Sequence, residues 1–278
     1  MRKIIALILA AMMLTVMFAG CATNEVENND VISDNGTNAT SDADYIIGKS
    51  KMTIGMTLFA PMNYYDDANE FVGFETEFAK AVCEKIGVEP DFQEIDWGAK
   101  EIELNAKNID CIWNGMTITD ERKANMEISK PYMANKQVMV VKAENLDKFS
   151  ESIIGAAVVA EAGSAGEEIA TADEFFKDAA FTAVDSMAKA LMDVAAGTSD
   201  IAVVDYVASI GSIGEGTDYE DLVVIEEREF SPEEYGIAFR KGSDMATMVN
   251  NTIDELIADG TLDEIAKKYK LENLLIKE

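Results

Sequence analysis

Apolar residues in this chain recur with strand and helix periods, and the period changes at glycines and polar clusters. Met52–Met56 is a short run of the strand kind, followed by a loop over Thr57–Tyr65. Between Gly73 and Gly87, the residues Phe74, Phe78, Val82 and Ile86 stand four apart, which puts them on one face of a helix. Glu75 and Glu77 fall in its first turn, where the helix dipole favours anions. A short strand toward Trp97, a helix about Lys100–Lys107 and a strand at Asp110–Gly115 follow. Gln137–Val141 is apolar without a helical period and reads as a crossing into a second lobe. Strands are expected there at Ile154–Ala160, Phe181–Val184, Ile201–Val204 and Leu222–Ile225, with a helix marked by Met187, Leu191 and Val194. Tyr235–Phe239 returns to the first sheet, and Met245, Val249, Ile253 and Leu256 belong to the stripe of a core helix. Ser164 with Glu167, and Thr261 with Glu264, each fit a capping box. Strands alternating with helices of this size predict the α/β class, parallel sheets, and ligands at the carboxyl ends of strands. On that reading Thr57–Met62, Trp97 and Asn114–Arg122 converge at one edge.

The pattern differs at the amino terminus. Arg2 and Lys3 precede an apolar run, Ile4 to Phe18, that ends in Ala19-Gly20-Cys21. A basic start, an apolar stretch too short to span a bilayer comfortably and small residues at the end read as a secretory signal. Cys21 placed there looks like a lipobox cysteine, lipidated and exposed as the new amino terminus, although Phe18 stands where leucine is commoner. The alternative is a plain secretory signal. Residues 1–20 are thus expected to be a lipoprotein signal peptide. Residues 21–50, rich in Asn, Asp, Ser and Thr, are expected to be a disordered acidic tether, since they offer too little apolar surface to offset ordering entropy.

Composition narrows the chemistry. A formal net charge of −29 leaves no basic surface for phosphate backbones or anionic membranes. The chain contains 0 histidines, which removes Ser-His-Asp and Cys-His catalysis and histidine metal sites together. Neither a Gly-x-Ser-x-Gly elbow nor a Gly-x4-Gly-Lys phosphate loop is present. No catalytic constellation, cofactor or metal is expected. Cys83 lies in a helical pattern and Cys111 in an apolar strand, which favours two buried free thiols; a disulfide between them is the alternative in an exported chain.

The stretch Ile112–Arg122, IWNGMTITDER, reads as a strand running into an anion-gripping loop, or as a surface turn with a solvated arginine. Gly115 lets backbone approach a ligand, Thr117 offers a hydroxyl and an N–H, and Arg122 offers a planar fork suited to a carboxylate. With GFETEFAKAV at Gly73–Val82, SKPY at Ser129–Tyr132, GSA at Gly163–Ala165, GTSDIAVVD at Gly197–Asp205, YGIAFRKGS at Tyr235–Ser243 and DGTLDEIAKKY at Asp259–Tyr269, it resembles the bacterial extracellular solute-binding proteins that feed polar amino acids to ABC transporters. The resemblance spans about residues 49 to 275.

It implies a type II periplasmic-binding-protein fold, two α/β lobes joined by two crossover strands with a ligand cleft between. Residues 51–140 and 231–278 would form lobe 1 and residues 141–230 lobe 2. The resemblance assigns Arg122, Thr117, Ser164 and Ala165 to the ligand carboxylate, and Asp205 and the Gly115 carbonyl to its ammonium. Asp205 before Tyr206 also reads as a helix N-cap. Phe59, Trp97, Asn114 and Glu161 would meet the ligand side chain. Many relatives carry an acid in the first loop, where this chain has Met56-Thr57-Leu58; Glu161 favours a basic side chain, so arginine or lysine ranks first, glutamine or cystine next, and glutamate and aspartate last. The partners implied are a free amino acid and an ABC permease, with the protein a monomer tethered outside the cell membrane. A sensor that reports amino-acid availability to a separate receptor is the rival.

The anchor reading has a direct test. Cys21→Ser is expected to abolish lipidation and cleavage before residue 21, changing membrane retention while leaving ligand affinity of the isolated body unchanged. A wild-type protein recovered wholly soluble, with its amino terminus elsewhere, would refute the lipobox.

Overall fold

Lys51–Met56 is buried from its second residue onward, as an apolar run covered on both faces requires. It lies between Glu89–Glu94 and Cys111–Ile112 and runs parallel to both. The computed structural model describes residues 41–228 and 230–277. Within them, Ala238–Arg240 and Met126–Ile128 complete the first sheet, and Ala238–Arg240 is antiparallel to both its neighbours. The sheet is therefore mixed, where strand–helix alternation predicts a parallel one. Connectivity explains the difference: Ala238–Arg240 returns from the other lobe, so no helix crossover sets its direction.

The second sheet has the order Leu222–Val224, Met133–Lys142, Ile201–Asp205, Ala157–Glu161, Ala180–Val184. The last three are parallel, and Met133–Lys142 is antiparallel to its two neighbours in the sheet. Met133–Lys142 also carries the first crossing. Its residues 133–136 pair with Pro232–Tyr235, the returning segment, and residues 137–142 already belong to the second sheet. Pairing with the second sheet thus begins at residue 137. Tyr235 belongs to the crossing, and the first sheet is rejoined only at Ala238.

Phe74–Ile86 forms the helix predicted between Gly73 and Gly87, with Phe74, Phe78 and Val82 buried. Gly87 closes it at φ +83°, a left-handed conformation that suits glycine. Met245–Ala258 packs against it through a face that includes Val249 and Ile253. Ser164 caps Ala165–Ala172 by accepting the Glu167 N–H at 3.1 Å, while Glu167 reaches back to the Gly163 N–H at 2.6 Å, one residue beyond the expected box. No box forms at Thr261. Gly260 is the N-cap, its carbonyl accepting the Glu264 N–H at 3.1 Å, so Thr261 is already inside the helix. Cys83 and Cys111 are buried free thiols, and burial pushes the Cys83 thiol up to about 12.

Part of the stretch expected to be a tether is ordered. Asp42–Gly48 is a helix capped by the Ser41 hydroxyl, with Ala43 and Ile46 buried. The Ala43 N–H donates to Asp244 at 2.8 Å, and Asp42 pairs with Arg240 at 2.8 Å. Two apolar residues three apart and one ion pair suffice to dock this turn on the first lobe. The expected leader, Cys21 and the tether as far as residue 40 lie outside the described residues.

Arg240 joins several pieces of the first lobe. Its guanidinium donates to Asp42 at 2.8 Å, to the Ile109 carbonyl at 2.9 Å and to the Leu104 carbonyl at 3.3 Å, and it lies 3.5 Å from Asp110. Asp110 is fully buried; it also accepts the Thr53 N–H at 2.7 Å and pairs with Lys49 at 2.5 Å. Arg240→Met is expected to lower the unfolding free energy by about 3 kcal/mol, the cost of stranding a buried partner. Urea denaturation measures it, and a loss below about 1 kcal/mol would mean that Lys49 alone satisfies Asp110.

Candidate functional site

Two glycines let the lobes touch. A Cβ on Gly163 would stand 2.9 Å from the Gly98 Cα, and one on Gly211 would stand 2.5 Å from the Pro61 nitrogen. No side chain fits at either contact. The lobes close on a narrow cavity of about 10 Å³. The first lobe lines it with Trp97, Asn114, Gly115, Thr117 and Arg122, and the second with Glu161, Ser164, Ala165, Met187 and Asp205. Nine of the ten residues singled out from the sequence therefore surround one space. Phe59 is the tenth. It packs behind Gly115, whose added Cβ would meet its ring at 3.0 Å, and it lines a neighbouring interlobe groove with Tyr64 and Met187.

Arg122 comes from Asp120–Asn125, a helix capped by the Thr119 hydroxyl. Its buried guanidinium donates to the Thr117 carbonyl at 2.8 Å, to the Gly163 carbonyl at 3.4 Å and to Glu168 at 3.0 Å. Gly163 and Glu168 belong to the second lobe, so the guanidinium bridges the cleft. The Thr117 hydroxyl donates to Glu233 at 3.2 Å. Lys100, also buried, reaches across in the same way. Its ammonium donates to the Gly163 carbonyl at 2.8 Å and sits 4.9 Å from the centre of the Trp97 ring. Burial, then Arg122, lowers it to about 8.

Asn114 borders the cavity but has no hydrogen-bonding capacity left for a ligand. Its amide oxygen accepts the Thr57 N–H at 2.9 Å and the Thr57 hydroxyl at 2.8 Å, and its nitrogen donates to the Thr57 carbonyl and to Asn63, both at 2.8 Å. It fixes the loop after Lys51–Met56. Asp205 occupies the N-cap position of Tyr206–Ser212 yet makes no capping bond. Asn135 takes that role, accepting the Val207 N–H at 3.3 Å. The Asp205 carboxylate instead accepts from Asn135 at 3.1 Å and from Gln137.

Three carboxyls here hold their protons far above the usual range. Burial, then the Asp205 charge, pushes Glu161 up to about 8, against the Thr57 hydroxyl and Lys100. Glu161 is 1% exposed, and its Oε1 has no hydrogen-bond partner among the described residues. Burial, then Glu233, raises Asp205 to about 7. Burial raises Glu75 to about 7, against donation from Tyr132 and Gly115. Glu75 was legible only as a first-turn acid, although it shares a helix face with Phe78, Ala79 and Val82 (spacing i, i+3, i+4, i+7), which points it inward. Lys100, Glu168 and Glu233 carry no such sequence signal, because their roles depend on contacts across the lobes. The cavity offers one guanidinium at one end and an excess of buried carboxyls at the other, an arrangement suited to a zwitterion.

These carboxyls lose their protons near pH 4 in an unfolded chain, but only near pH 7–8 when folded. Between those values the folded state binds more protons, so their contribution to stability is greatest on the acid side and falls as pH rises, by at most roughly 1.4 kcal/mol per pH unit for each group. The ligand-free protein is expected to melt at a lower temperature at pH 8.5 than at pH 6, and Glu161→Gln to reduce that difference. Calorimetry at the two pH values measures it; an unchanged difference in the variant would show that Glu161 is ionised throughout.

Comparison with known proteins gives a consistent family. Residues 52–272 match the model for bacterial extracellular solute-binding proteins, family 3. The chain is 29% identical to the L-cystine-binding protein TcyJ of Escherichia coli strain K12, over 76% of this chain and 79% of that one. It is 26% identical to the arginine-binding extracellular protein ArtP of Bacillus subtilis strain 168, over 80% and 87%. Among solved structures, an ABC uptake transporter substrate-binding protein of Streptococcus pneumoniae with bound histidine superposes with a TM-score of 0.76 at 28% identity, covering 85% of this chain and 99% of that one. Two α/β lobes around a polar cleft, and a family match over nearly the whole folded body, lead to one conclusion: this chain belongs to the bacterial extracellular solute-binding proteins, family 3.

Proposed function

We propose that the cleft captures a free L-α-amino acid with a basic side chain and delivers it to an ABC permease. The observation that carries the side-chain assignment is Glu161, a buried carboxyl at the cavity wall whose Oε1 has no partner among the described residues. Placed against it, a guanidinium or ammonium would satisfy that oxygen and remove the desolvation cost of its charge. The α-carboxylate lies at Arg122, aided by the Thr117 N–H and by the Ala165 N–H in the first turn of the helix that Ser164 caps; the Ser164 N–H itself is turned to the Glu161 carbonyl at 3.2 Å. The α-ammonium lies at Asp205 and the Gly115 carbonyl, and the side chain passes Trp97. The relatives' names support an amino-acid ligand, with arginine and cystine both among them. Arginine or lysine is the preferred ligand, glutamine or cystine the next, and glutamate the least favoured. The site works by binding and closure without turnover. Export through the leader, lipidation at Cys21 and action as a monomer complete the reading.

A thermal-shift screen of the twenty amino acids with ornithine, citrulline and cystine tests it, since a ligand that binds only the folded state raises its apparent stability. The largest shifts are expected with arginine and lysine. Arg122→Ala is expected to cost about 2–5 kcal/mol of binding, some thirty-fold to several thousand-fold in affinity. Glu161→Gln is expected to weaken arginine by more than ~1 kcal/mol while leaving glutamine nearly unchanged. Calorimetry showing tight glutamate binding, or arginine binding indifferent to Glu161→Gln, would end the basic-ligand reading.

A further inference from the structure

Behind the cavity wall lies a carboxyl to which the amino-acid reading gives no role. Glu75 is fully buried, and its two oxygens accept the Gly115 N–H at 2.9 and 3.1 Å. The Tyr132 hydroxyl donates to the same carboxylate. Gly115 itself lines the cavity and holds φ +57°, a conformation that favours glycine. A backbone residue has one donor and one acceptor. With its N–H taken from behind, Gly115 can offer the cavity only its carbonyl, which attracts an ammonium and repels a carboxylate. A glutamine would accept the same N–H without the cost of burying a charge, so hydrogen bonding alone does not account for an acid here.

The second observation is the company Glu75 keeps. Burial acts on it most, and Asp205, in the second lobe, adds a smaller effect in the same direction. The other titratable groups around them are Tyr132 and Tyr235 from the two crossings and the carboxylates Glu233 and Glu161 beside Asp205; Arg122 lines the same cavity, and Lys100 acts on Glu161. A buried carboxyl behind the wall of a cavity keeps its proton until a cation arrives to favour the charged form.

We propose that Glu75 is a positioning residue for the ligand's α-ammonium, acting through the Gly115 peptide, and that capture of an amino acid expels a proton from Glu75 to solvent. This rests on the amino-acid reading above. The ammonium brings one positive charge and the departing proton removes one; no other bond changes. Burial holds that carboxyl near neutrality in the ligand-free protein, and the ammonium favours its ionised form. Affinity therefore weakens as pH falls below 7, approaching tenfold per pH unit for one linked proton.

Two measurements test this. In the ligand-free protein, the Gly115 amide resonance followed from pH 5 to 9 is expected to shift with a midpoint near neutrality, and Glu75→Gln is expected to lose that shift while keeping a folded amide spectrum. This arm needs no ligand. In the second, L-arginine is titrated calorimetrically at pH 7 in phosphate and in Tris, whose ionisation heats differ. Proton release is expected from wild type, less from Glu75→Gln, and release again from Glu75→Asp. A Gly115 amide that does not move in wild type overturns the assignment of Glu75, and equal proton release from wild type and Glu75→Gln overturns the linkage. Wild type giving no heat with L-arginine would overturn the basic-ligand reading, and the amide shift alone then decides Glu75. Should Glu75→Gln fail to fold, the wild-type amide shift and Glu75→Asp decide the matter.

Discussion

Where the chain crosses between its lobes, two carboxylates draw on one pair of amides. Asn135 and Gln137 stand two apart on Met133–Lys142, hence on one face of the strand, and each donates to both Asp205 and Glu233. The amides hold the negative charge in place without neutralising it. The cations of the cleft lie elsewhere: Arg122 is bound to the Thr117 and Gly163 carbonyls and to Glu168, and Lys100 to the Trp97 and Gly163 carbonyls. This separation of sign across a small cavity, positive at the Gly163 rim and negative at the crossing, gives the site its direction.

The separation has energetic consequences. A buried carboxylate supported by neutral donors still pays a desolvation penalty, and protonation is the ordinary relief. Asp205, Glu161 and Glu75 each take that relief near neutral pH. On the amino-acid reading, the ligand's own cations offer a better one. The backbone contacts at Gly163 and Gly211 matter for the same reason, because they bring the lobes together around the site, and electrostatic interactions strengthen where burial lowers the local dielectric. The acidity of the whole surface assists only the approach of a cation, since screening limits its reach to about 8–10 Å.

Much of this architecture was legible in one dimension. Phe74, Phe78 and Val82 at helical spacing between two glycines could form little else than the helix they form. The apolar runs at Met52 and Ile201 had to be strands, and their ends had to be where Trp97, Thr117, Arg122 and Asp205 could meet. Local periodicity reports which face of an element is buried, and in an α/β fold that also locates the functional edge.

Tertiary structure alone decided how those residues are engaged. Asn114 looks like a ligand contact until Thr57 and Asn63, far apart from it in sequence, occupy all its hydrogen-bonding capacity. Asp205 looks like a cap until Asn135 caps the helix instead. Phe59 packs against Gly115, and Glu75, legible only as a first-turn acid, accepts the Gly115 N–H. The turn Asp42–Gly48 is ordered by Arg240 and Asp244, some two hundred residues away. The sequence determined the elements, their buried faces and which residue types reach the cleft, because those follow from short-range spacing. The partners of each polar group, and hence which of them remain open to a ligand, depended on contacts between distant segments and lobes, which no local pattern encodes.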